Sequence, residues 1–447
     1  MDCDVVVVGA GVAGLECARS LHERGVSVCV LEAADAVGGR IRTDHVDGFT
    51  VDRGFQLLNP AYPAVRRRVD VAALELRPFL PGVAVRRDAG LALLADPRRA
   101  PSRLGRTLAS GYARPGELLA LARWAAPALG PVDRLLRRPD APLGRSLTDA
   151  GVHGAVRREV LEPFLAGVLA EDVGATSAQF VRLLVRSFLL GTPGVPAAGM
   201  AALPQQLARG VPDVRLGVQV RGLERTGAGQ RVLTDGDAVT SRAVVVATDG
   251  PAAAQLVPIP APSMNGLVTH WYATDQPPSA GAPTGPTARS STSSVVVVDG
   301  RRRGPVVNAA VMTASAPTYA PTGMHLVAVT CLLGATPPDE ATVRRQAGQM
   351  LGTDPRPWNE LTRHLVPHAL PAQVPPLTVR RPVDLGSGRF VCGDHRDTAS
   401  TQGALVSGRR TAAAVRRWLR GPDGPVPGDG PVPGDGPVPG PARRSAG

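Results

Sequence analysis

Three glycines and one acid near the start of the chain have the spacing of a dinucleotide-binding turn. Gly9, Gly11 and Gly14 form a G-x-G-x-x-G, and Glu32 follows eighteen residues after the last of them. Gly9 permits a tight turn, Gly11 lets the backbone approach a pyrophosphate, and Gly14 lets a helix pack closely on a strand. A carboxylate at position 32 can accept hydrogen bonds from the hydroxyls of an adenosine ribose, and it disfavours the 2′-phosphate of NADP.

These residues need a βαβ unit to position them, and the sequence predicts one. Residues 3–8 are an apolar run rich in β-branched side chains, which is typical of a buried parallel strand. Residues 15–23 have helical composition, and residues 26–31 form a second predicted strand that ends at Glu32. Free amides at the start of the helix would then face phosphate groups. The dinucleotide-binding residues predicted from this unit are Gly9, Gly11, Val12, Ala13, Gly14, Glu32 and Ala33.

The segment after the second strand indicates which dinucleotide binds. Residues 38–43 read Gly-Gly-Arg-Ile-Arg-Thr. They resemble the FAD signature of the flavin amine oxidase superfamily, which also contains phytoene desaturases and protoporphyrinogen oxidases. The resemblance implies that the backbone at Gly39 passes close to FAD and that Arg40 faces its pyrophosphate, since a planar guanidinium suits phosphate oxygens. The alternative is a solvent-exposed arginine in a glycine loop. We therefore predict that the cofactor is FAD.

A second resemblance to the same superfamily lies near the other end of the chain. Residues 389–394 read Arg-Phe-Val-Cys-Gly-Asp, and residues 400–405 read Ser-Thr-Gln-Gly-Ala-Leu. They resemble the C-terminal FAD motif, in which an acid accepts a hydrogen bond from a ribityl hydroxyl. In that motif the amides of a following helix face N1 and O2 of the flavin, where the helix dipole stabilises the anionic reduced ring. The residues that match these roles are Gly393 and Asp394, and then Gln402, Gly403 and Ala404.

Weaker matches lie between the two motifs. Residues 48–54 have the spacing Gly-Phe-x-x-Asp-x-Gly, which resembles the segment that runs beneath the flavin in the superfamily. This resemblance implies that Gly54 and Gln56 lie near the isoalloxazine ring. The same residues are equally well explained by an ordinary hairpin turn at Asp47-Gly48 that is followed by a strand. Val220 is the best match to the strand residue whose backbone contacts the adenine.

The predicted fold class is α/β. We expect an FAD-binding Rossmann-like domain of the glutathione-reductase type, with an inserted α+β substrate domain. The pattern is helical from residue 82 to residue 199, and it is strand-like at residues 295–298, 305–311 and 325–333, with a helix at 339–351. The predicted FAD domain comprises residues 1–81, 200–254 and 382–420, and the predicted substrate domain comprises residues 82–199 and 255–381. Within the substrate domain, residues 277–294 are predicted to form a loop rich in Pro, Ser and Gly. Residues 421–447 repeat Asp-Gly-Pro-Val-Pro-Gly and are predicted to form a disordered tail.

Composition narrows the choice of partners. The net charge is +12, but all 50 basic residues are arginine, and no aromatic pattern of a nucleic-acid-binding domain accompanies them. We therefore expect no nucleic-acid partner. Between residues 98 and 145 there are ten arginines and three acids. This basic, apolar stretch is either a helical subdomain with a solvated face or a peripheral membrane contact.

Other compositional features predict a cytosolic protein without a metal. The five cysteines stand singly and predict buried thiols in a reducing compartment. A predicted strand begins at residue 3, so we expect no secretory signal, and no stretch of 18 uncharged apolar residues indicates a membrane span. His364 and His368 come nearest to a metal-ligand spacing. Pro367 separates them and no acid lies nearby in the sequence, so we predict no metal site there.

The reaction follows from what a flavin site requires. In the amine oxidases of the superfamily a lysine holds a water near flavin N5 and aromatic rings cage the amine, but this chain has no lysine and Ser400 stands where one aromatic would be. We therefore predict an FAD-dependent oxidoreductase that removes hydride from a lipophilic small molecule of carotenoid or porphyrinogen type. Only one nucleotide fingerprint exists, so an external acceptor such as oxygen or a quinone is expected.

Three alternatives to this prediction stay open. They are a flavin amine oxidase that produces peroxide, a reduced-flavin isomerase, and a nucleotide-binding scaffold without chemistry. Hydride transfer needs placement more than acid–base help, so no catalytic side chain is assigned. The residues expected near the flavin are Gly54, Gln56, Ser400 and Gln402.

Overall fold

Strands and helices alternate along the chain in the computed structural model, which describes residues 1–112, 114–227, 229–278 and 294–421. The strands are β1 Cys3–Val8, β2 Val28–Glu32, β3 Thr43–Val46, β4 Phe49–Asp52, β5 Arg77–Pro78, β6 Gly82–Arg87, β7 Gly90–Ala95, β8 Gly194–Val195, β9 Val214–Leu216, β10 Val220–Thr226, β11 Gly229–Thr234, β12 Val239–Val246, β13 Met264–Thr274, β14 Val296–Asp299, β15 Val306–Val311, β16 His325–Leu332, β17 Asn359–Pro371 and β18 Arg389–Val391. The helices are α1 Val12–His22, α2 Pro63–Arg68, α3 Leu104–Leu108, α4 Pro115–Ala125, α5 Val132–Leu136, α6 Leu143–Asp149, α7 Glu162–Leu169, α8 Ala178–Leu190, α9 Ala202–Ala208, α10 Gly250–Leu256, α11 Glu340–Leu351 and α12 Thr401–Arg420. Nearly all of the predicted loop at 277–294 and of the predicted tail at 421–447 lies outside the described residues.

The first sheet is built around β1, whose valines are buried because the strand has a neighbour on each side, helices α1 and α12 on one face, and residues of β10 and β11 on the other. The strand order is β10-β11-β12-β1-β2-β9, and β18 also pairs with β12. β1 runs parallel to β2 and to β12, with Val5 opposite Val28 and Ala243. The predicted βαβ unit is therefore confirmed, and the mixed α/β fold class with it. Its helix begins at Val12, three residues before the predicted start.

The two ends of the chain meet on this sheet. β18 pairs in parallel with β12, so that Val391 lies opposite Val246. α12 then packs against α1, and a Cβ at Gly408 would collide with the carbonyl oxygen of Ala13. This close approach of two helix backbones requires glycine at position 408. The segment with the predicted C-terminal motif therefore lies beside the N-terminal turn.

The second sheet has the order β17-β13-β16-β15-β14-β6-β7, and all of its neighbouring strands are antiparallel except β14 and β6. α11 packs on its outer face, where Val343, Ala347 and Leu351 join the core. The strands predicted at 295–298, 305–311 and 325–333 and the helix predicted at 339–351 are confirmed as β14, β15, β16 and α11. β13 and β17 were not predicted.

The prediction of helical structure from residue 82 is wrong for the first fourteen residues of that stretch. They form the hairpin of β6 and β7, because Val83 and Val85 alternate with smaller residues and pair with β14. Gly90, with φ +124°, makes the turn between the two strands. Helices begin only after this hairpin, and α4, α6, α7 and α8 share a core around Trp124, Leu147 and Phe180.

Candidate cofactor and substrate site

A cavity of about 770 Å³ reaches from the first sheet to the second sheet and the helical layer. This volume lies in the range of small-molecule and cofactor sites. At one end the cavity is lined by backbone turns of the first sheet, and at the other by apolar side chains. The predicted site residues that line it are Gly9, Gly11, Val12, Ala13, Glu32, Ala33, Gly39, Arg40, Gly54, Gln56, Val220, Gly393, Asp394, Ser400 and Ala404.

The glycine turn after β1 has three different geometries at its three glycines. Gly9 has φ +105°, a conformation that favours glycine. A Cβ on Gly11 would have no atom within 4 Å, so this backbone borders open space in the cavity. A Cβ on Gly14 would collide with the carbonyl oxygen of Gly9, so Gly14 serves packing and does not line the cavity. α1 begins directly after Gly11, which places its first amides at the cavity.

Glu32 is held in place at the end of β2 by two backbone amides. Its Oε2 accepts a hydrogen bond from the amide of Ala10 at 2.7 Å, and its Oε1 accepts one from Ala34 at 2.9 Å. An ionised carboxylate has about four lone-pair positions, so both oxygens keep acceptor capacity toward the cavity. Ala33 and Val220 line the same end, where β10 begins. This end can therefore accept hydrogen bonds from hydroxyl groups.

Arg40 and Asp394 join the two predicted FAD motifs. Arg40 Nη2 lies 2.6 Å from Asp394 Oδ1, and its Nη1 donates to the carbonyl oxygen of Ala369 at 2.8 Å. Burial lowers the pKa of Arg40, but the Asp394 carboxylate more than offsets this and the net direction is upward. The alternative of a solvent-exposed arginine in a glycine loop is wrong, because the side chain is only 31% exposed and is hydrogen-bonded on both sides. The positively charged guanidinium of Arg40 is thus held in one position at the cavity.

The start of α12 corrects the predicted set of amides. Ser400 caps the helix, since its Oγ accepts from the amide of Gly403 at 3.1 Å and its carbonyl oxygen accepts from Ala404 at 3.0 Å. These two amides are therefore engaged, although Gly403 and Ala404 were predicted to face the flavin. The amides without an acceptor in the described part of the chain are those of Thr401 and Gln402, at the first two helical positions.

The side chains of the same turn also differ from the prediction. Gln402 turns away from the cavity, and its Oε1 accepts from the amide of Ala64 at 2.8 Å. Gly403 does not line the cavity either, and a Cβ there would collide with the carbonyl oxygen of Thr398. The prediction is wrong for the amides of Gly403 and Ala404, whereas that of Gln402 stays free, because the exact start of a helix depends on its cap, which shifts the free amides by one or two residues.

Both interpretations of residues 45–56 describe part of the structure. β3 and β4 form a hairpin whose turn is Asp47-Gly48, with φ +49° and +81°. Gly54 and Gln56 follow this hairpin and line the cavity. Gln56 Nε2 donates to the carbonyl oxygen of Arg40 at 2.7 Å, which fixes the Gln56 side chain beside the paired guanidinium.

The far end of the cavity was missed by sequence reasoning. It is largely apolar, and helices α7 and α8 face strands of the second sheet across it. Its apolar lining consists of Phe164, Val168, Phe180, Leu184, Phe188, Leu267, Val296, Val366 and Leu370. In the sequence, the apolar residues at helical spacing in α7 and α8 look like ordinary core residues. Only the folded structure shows that some of them line a cavity. One signal was available, namely the polar Asn308 in the middle of the apolar strand β15.

Ionisable groups are scarce at this far end. The ionisable residues that line the whole cavity are Glu32, Arg40, Arg53, Tyr62, Arg221, Asp249 and Asp394. Of these, Tyr62 precedes α2, and burial raises its pKa to about 12. Its hydroxyl is therefore neutral at ordinary pH. No carboxylate lines the apolar end, as far as the described residues show.

His364 and His368 both have a carboxylate partner, contrary to the expectation that no acid lies near them. They lie on β17, where His364 Nε2 is 3.1 Å from Asp44 Oδ2 and His368 Nδ1 is 2.8 Å from Asp249 Oδ2. Burial lowers the pKa of His364, and Asp44 opposes this shift in part. Each histidine uses a different acid. Within the described ranges no three His, Cys, Asp or Glu side chains cluster as metal ligands would.

Comparison with known proteins shows where this architecture recurs. The model of the family of flavin containing amine oxidoreductases matches residues 12–416. A putrescine oxidase from Kocuria rosea is 49% identical over 72 residues, which span 16% of this chain and only 15% of that protein. A candidate protoporphyrinogen oxidase from Exiguobacterium sp. 255-15 has a similar structure, with a TM-score of 0.68 at 18% identity, over 94% of this chain and 99% of the other. Cyclohexylamine oxidase from Brevibacterium oxydans IH-35A gives a TM-score of 0.64 at 18% identity, over 94% and 100% of the two chains. At such identities the structural likeness establishes the fold alone.

Proposed function

The chain belongs to the family of flavin containing amine oxidoreductases and is an FAD-dependent oxidoreductase, and from this premise we propose that it oxidises a neutral, largely apolar small molecule. The observation that carries the proposal is the far end of the cavity, where helices α7 and α8 and the second sheet present apolar side chains without a carboxylate among the described lining residues. A protonated amine or polyamine would have to leave water there without a counter-charge, which is costly.

The residues of the first sheet fit FAD. Open space at Gly11, with the first amides of α1 beside it, suits a pyrophosphate. The fixed carboxylate of Glu32 suits ribose hydroxyls, and Arg40 would balance phosphate charge while Asp394 orients it. We propose that the amides of Thr401 and Gln402 at the start of α12 take the role first expected of Gln402, Gly403 and Ala404. They are donors in a place where developing negative charge would be stabilised.

The chemistry divides between the cofactor and the chain. Bound FAD supplies a two-electron acceptor for hydride from a substrate C–H bond, and an external acceptor such as oxygen or a quinone reoxidises it. The chain's own contribution is to hold the substrate and to exclude water. No base is offered at the apolar end by the described lining, since Tyr62, with a pKa of about 12, stays protonated. Placement is thus the main task of these side chains.

Anaerobic reduction of the flavin by chosen substrates tests the proposal. The purified FAD-bound protein is mixed with a porphyrinogen, a carotenoid precursor in detergent, cyclohexylamine and putrescine, and bleaching of the flavin is followed. We expect bleaching by the carotenoid precursor, which is the neutral apolar compound of this panel, and none by putrescine. The rate of bleaching by the apolar compound should not depend on pH between about pH 6 and 9, because no lining group at the apolar end titrates in that range.

An amine oxidase would behave differently in the same experiment. The substrate amine must lose its proton before hydride can leave, so the rate would rise with pH throughout this range. Fast bleaching by cyclohexylamine or putrescine with that pH dependence would overturn the proposal of an apolar substrate. It would leave the FAD-dependent oxidoreductase assignment intact.

We further propose a peripheral membrane contact through the helical layer. On α4, Leu118 and Leu119 are 43% and 51% exposed, and Leu108 and Leu129, which precede and follow this helix in the chain, are 61% and 62% exposed. Ten arginines lie between residues 98 and 145. Exposed leucines within a stretch rich in arginine suit the surface of an anionic bilayer. In the described residues no helix is both long enough and apolar enough to cross the membrane.

A further inference from the structure

Asn308 is a polar side chain that the fold buries at the cavity without satisfying it. It lies in β15, it is only 5% exposed, and it lines the apolar end of the cavity. Its Oδ1 is fully buried and accepts no hydrogen bond from any residue that the structure describes. Burying an unpaired amide group is unfavourable, so such a group in a native protein calls for a partner.

The neighbouring polar side chains do not supply that partner. Asn308 stands opposite Thr330 on β16, and Thr330 stands opposite Thr269 on β13. The two threonine hydroxyls contact each other at 3.4 Å, and Thr269 Oγ1 accepts from the amide of Phe55 at 3.3 Å. A polar row thus crosses the face of the sheet that lines the cavity. The amide of Asn308 ends this row unpaired.

The opposite wall is shaped to admit the amide. Gly167 lies inside α7, and a Cβ there would collide with Asn308 Nδ2. Glycine inside a helix costs roughly 1 kcal/mol relative to alanine. The amide is therefore held between β15 and α7, with the position of its two polar atoms set by packing on both sides.

We propose that Asn308 is the anchor of the substrate site and that it binds one oxygen function, a hydroxyl or a carbonyl, on an otherwise apolar molecule. This proposal rests on the apolar substrate proposed above and adds the group by which that substrate is oriented. The Nδ2 group of the amide is a donor, and it can bind either a hydroxyl or a carbonyl oxygen of the substrate. Fixing one end of a flexible apolar substrate determines which C–H bond lies at the reacting position.

Three cyclic probes of one carbon skeleton test the anchor: cyclododecanol, cyclododecanone and cyclododecane. Their dissociation constants are measured on the FAD-bound protein from changes in the flavin absorption spectrum. The quantity of interest is the affinity of each oxygenated probe relative to the hydrocarbon. In Asn308→Leu, which keeps the shape and removes the amide, we expect this ratio to fall about tenfold or more. A purely structural role would change the affinities of all three probes together.

Two further variants sharpen the comparison. Gly167→Ala should push the amide aside and lower the same ratio. Thr330→Val alters the neighbouring member of the polar row, which does not line the cavity, and should leave the ratio unchanged. FAD content and thermal unfolding of each variant check that it is folded.

The possible outcomes separate the anchor from the proposal beneath it. If all three probes bind and Asn308→Leu keeps the wild-type ratio, the anchor is refuted and the apolar site stands. If Thr330→Val lowers the ratio as much as Asn308→Leu, the effect belongs to the sheet and the anchor is again refuted. If none of the probes binds to FAD-loaded wild-type protein, the apolar substrate and its anchor both fail.

Discussion

Alanine substitutions at Gly11 and Gly14 should separate cofactor binding from folding. Gly11 has φ −72° and ψ 173°, which any residue adopts, and an added methyl group would project into open cavity space. Gly14 lies within α1, where an added methyl group would collide with the carbonyl oxygen of Gly9 and lie 3.0 Å from Ala247 Cβ. Two glycines three residues apart are thus expected to fail in opposite ways.

The magnitudes follow from these surroundings. In Gly11→Ala, a slightly poorer helix cap is offset by the reduced entropy of the unfolded chain, so the free energy of unfolding without FAD should stay within about 1 kcal/mol of wild type. The methyl group would displace FAD at a cost of about 1–3 kcal/mol, which weakens binding roughly 10- to 100-fold. In Gly14→Ala, the clash with backbone exceeds the gain of about 1 kcal/mol in helix propensity, and we expect a net loss of about 2 kcal/mol.

Urea unfolding of the FAD-free proteins and quenching of flavin fluorescence measure the two quantities. Wild-type FAD affinity in Gly11→Ala would show that this turn does not hold the cofactor. A loss of stability in Gly11→Ala equal to that in Gly14→Ala would show that the space beside Gly11 is not open. Either result would refute the assignment of the glycine turn.

Three other perturbations test separate parts of the structure. Asp394→Asn keeps the shape but removes the charge that pairs with Arg40 at 2.6 Å, and it should lower the free energy of urea unfolding by about 1.5–3 kcal/mol; no change would mean that the pair contributes nothing. Burial raises the pKa of Asp52 from 3.8 to about 6. Between these two pH values the folded state holds a proton that the unfolded state releases. The free energy of unfolding should therefore fall by up to about 3 kcal/mol as the pH rises through this window. In Asp52→Asn, the free energy of unfolding measured by urea titration should not show this decrease with pH. Identical pH profiles of wild type and variant would contradict the prediction. Leu119→Glu should abolish sedimentation with phosphatidylglycerol vesicles, whereas Leu216→Glu, on the exposed part of β9, should not; equal sedimentation of both would refute the membrane contact.

The cofactor end of the site was predictable because its determinants are close together in the sequence. The turn at Gly9 to Gly14 and the acid at Glu32 belong to one βαβ unit, whose strands and helix show in the local pattern of apolar residues. The family resemblance added Asp394, but its pairing with Arg40 over 354 positions was not predicted. The free amides of α12 were misplaced because Ser400 sets the start of that helix.

The second sheet was only partly predictable because its strands pair with distant partners. β6 joins β14 across more than two hundred residues, and β17 carries His364 to Asp44. Polar residues such as His364 and His368 within β17 weaken the alternation that marks a strand, so β17 was missed. Pairings of this kind depend on packing over the whole sheet and not on local propensity. We propose that the two sheets correspond to the two domains expected from the sequence.

The two ends of the cavity differ in how they are built. We propose that FAD is held largely by backbone groups of tight turns and helix starts, where close approach of the backbone favours glycine. We propose that the substrate is held by side chains from α7, α8, β13, β15 and β17, which can change while the backbone persists. The fold recurs over 94% of the chain at 18% identity, so the backbone persists while most side chains differ. The substrate must therefore be sought from side chains such as Asn308 and Tyr62 and not from the motifs that identify the family.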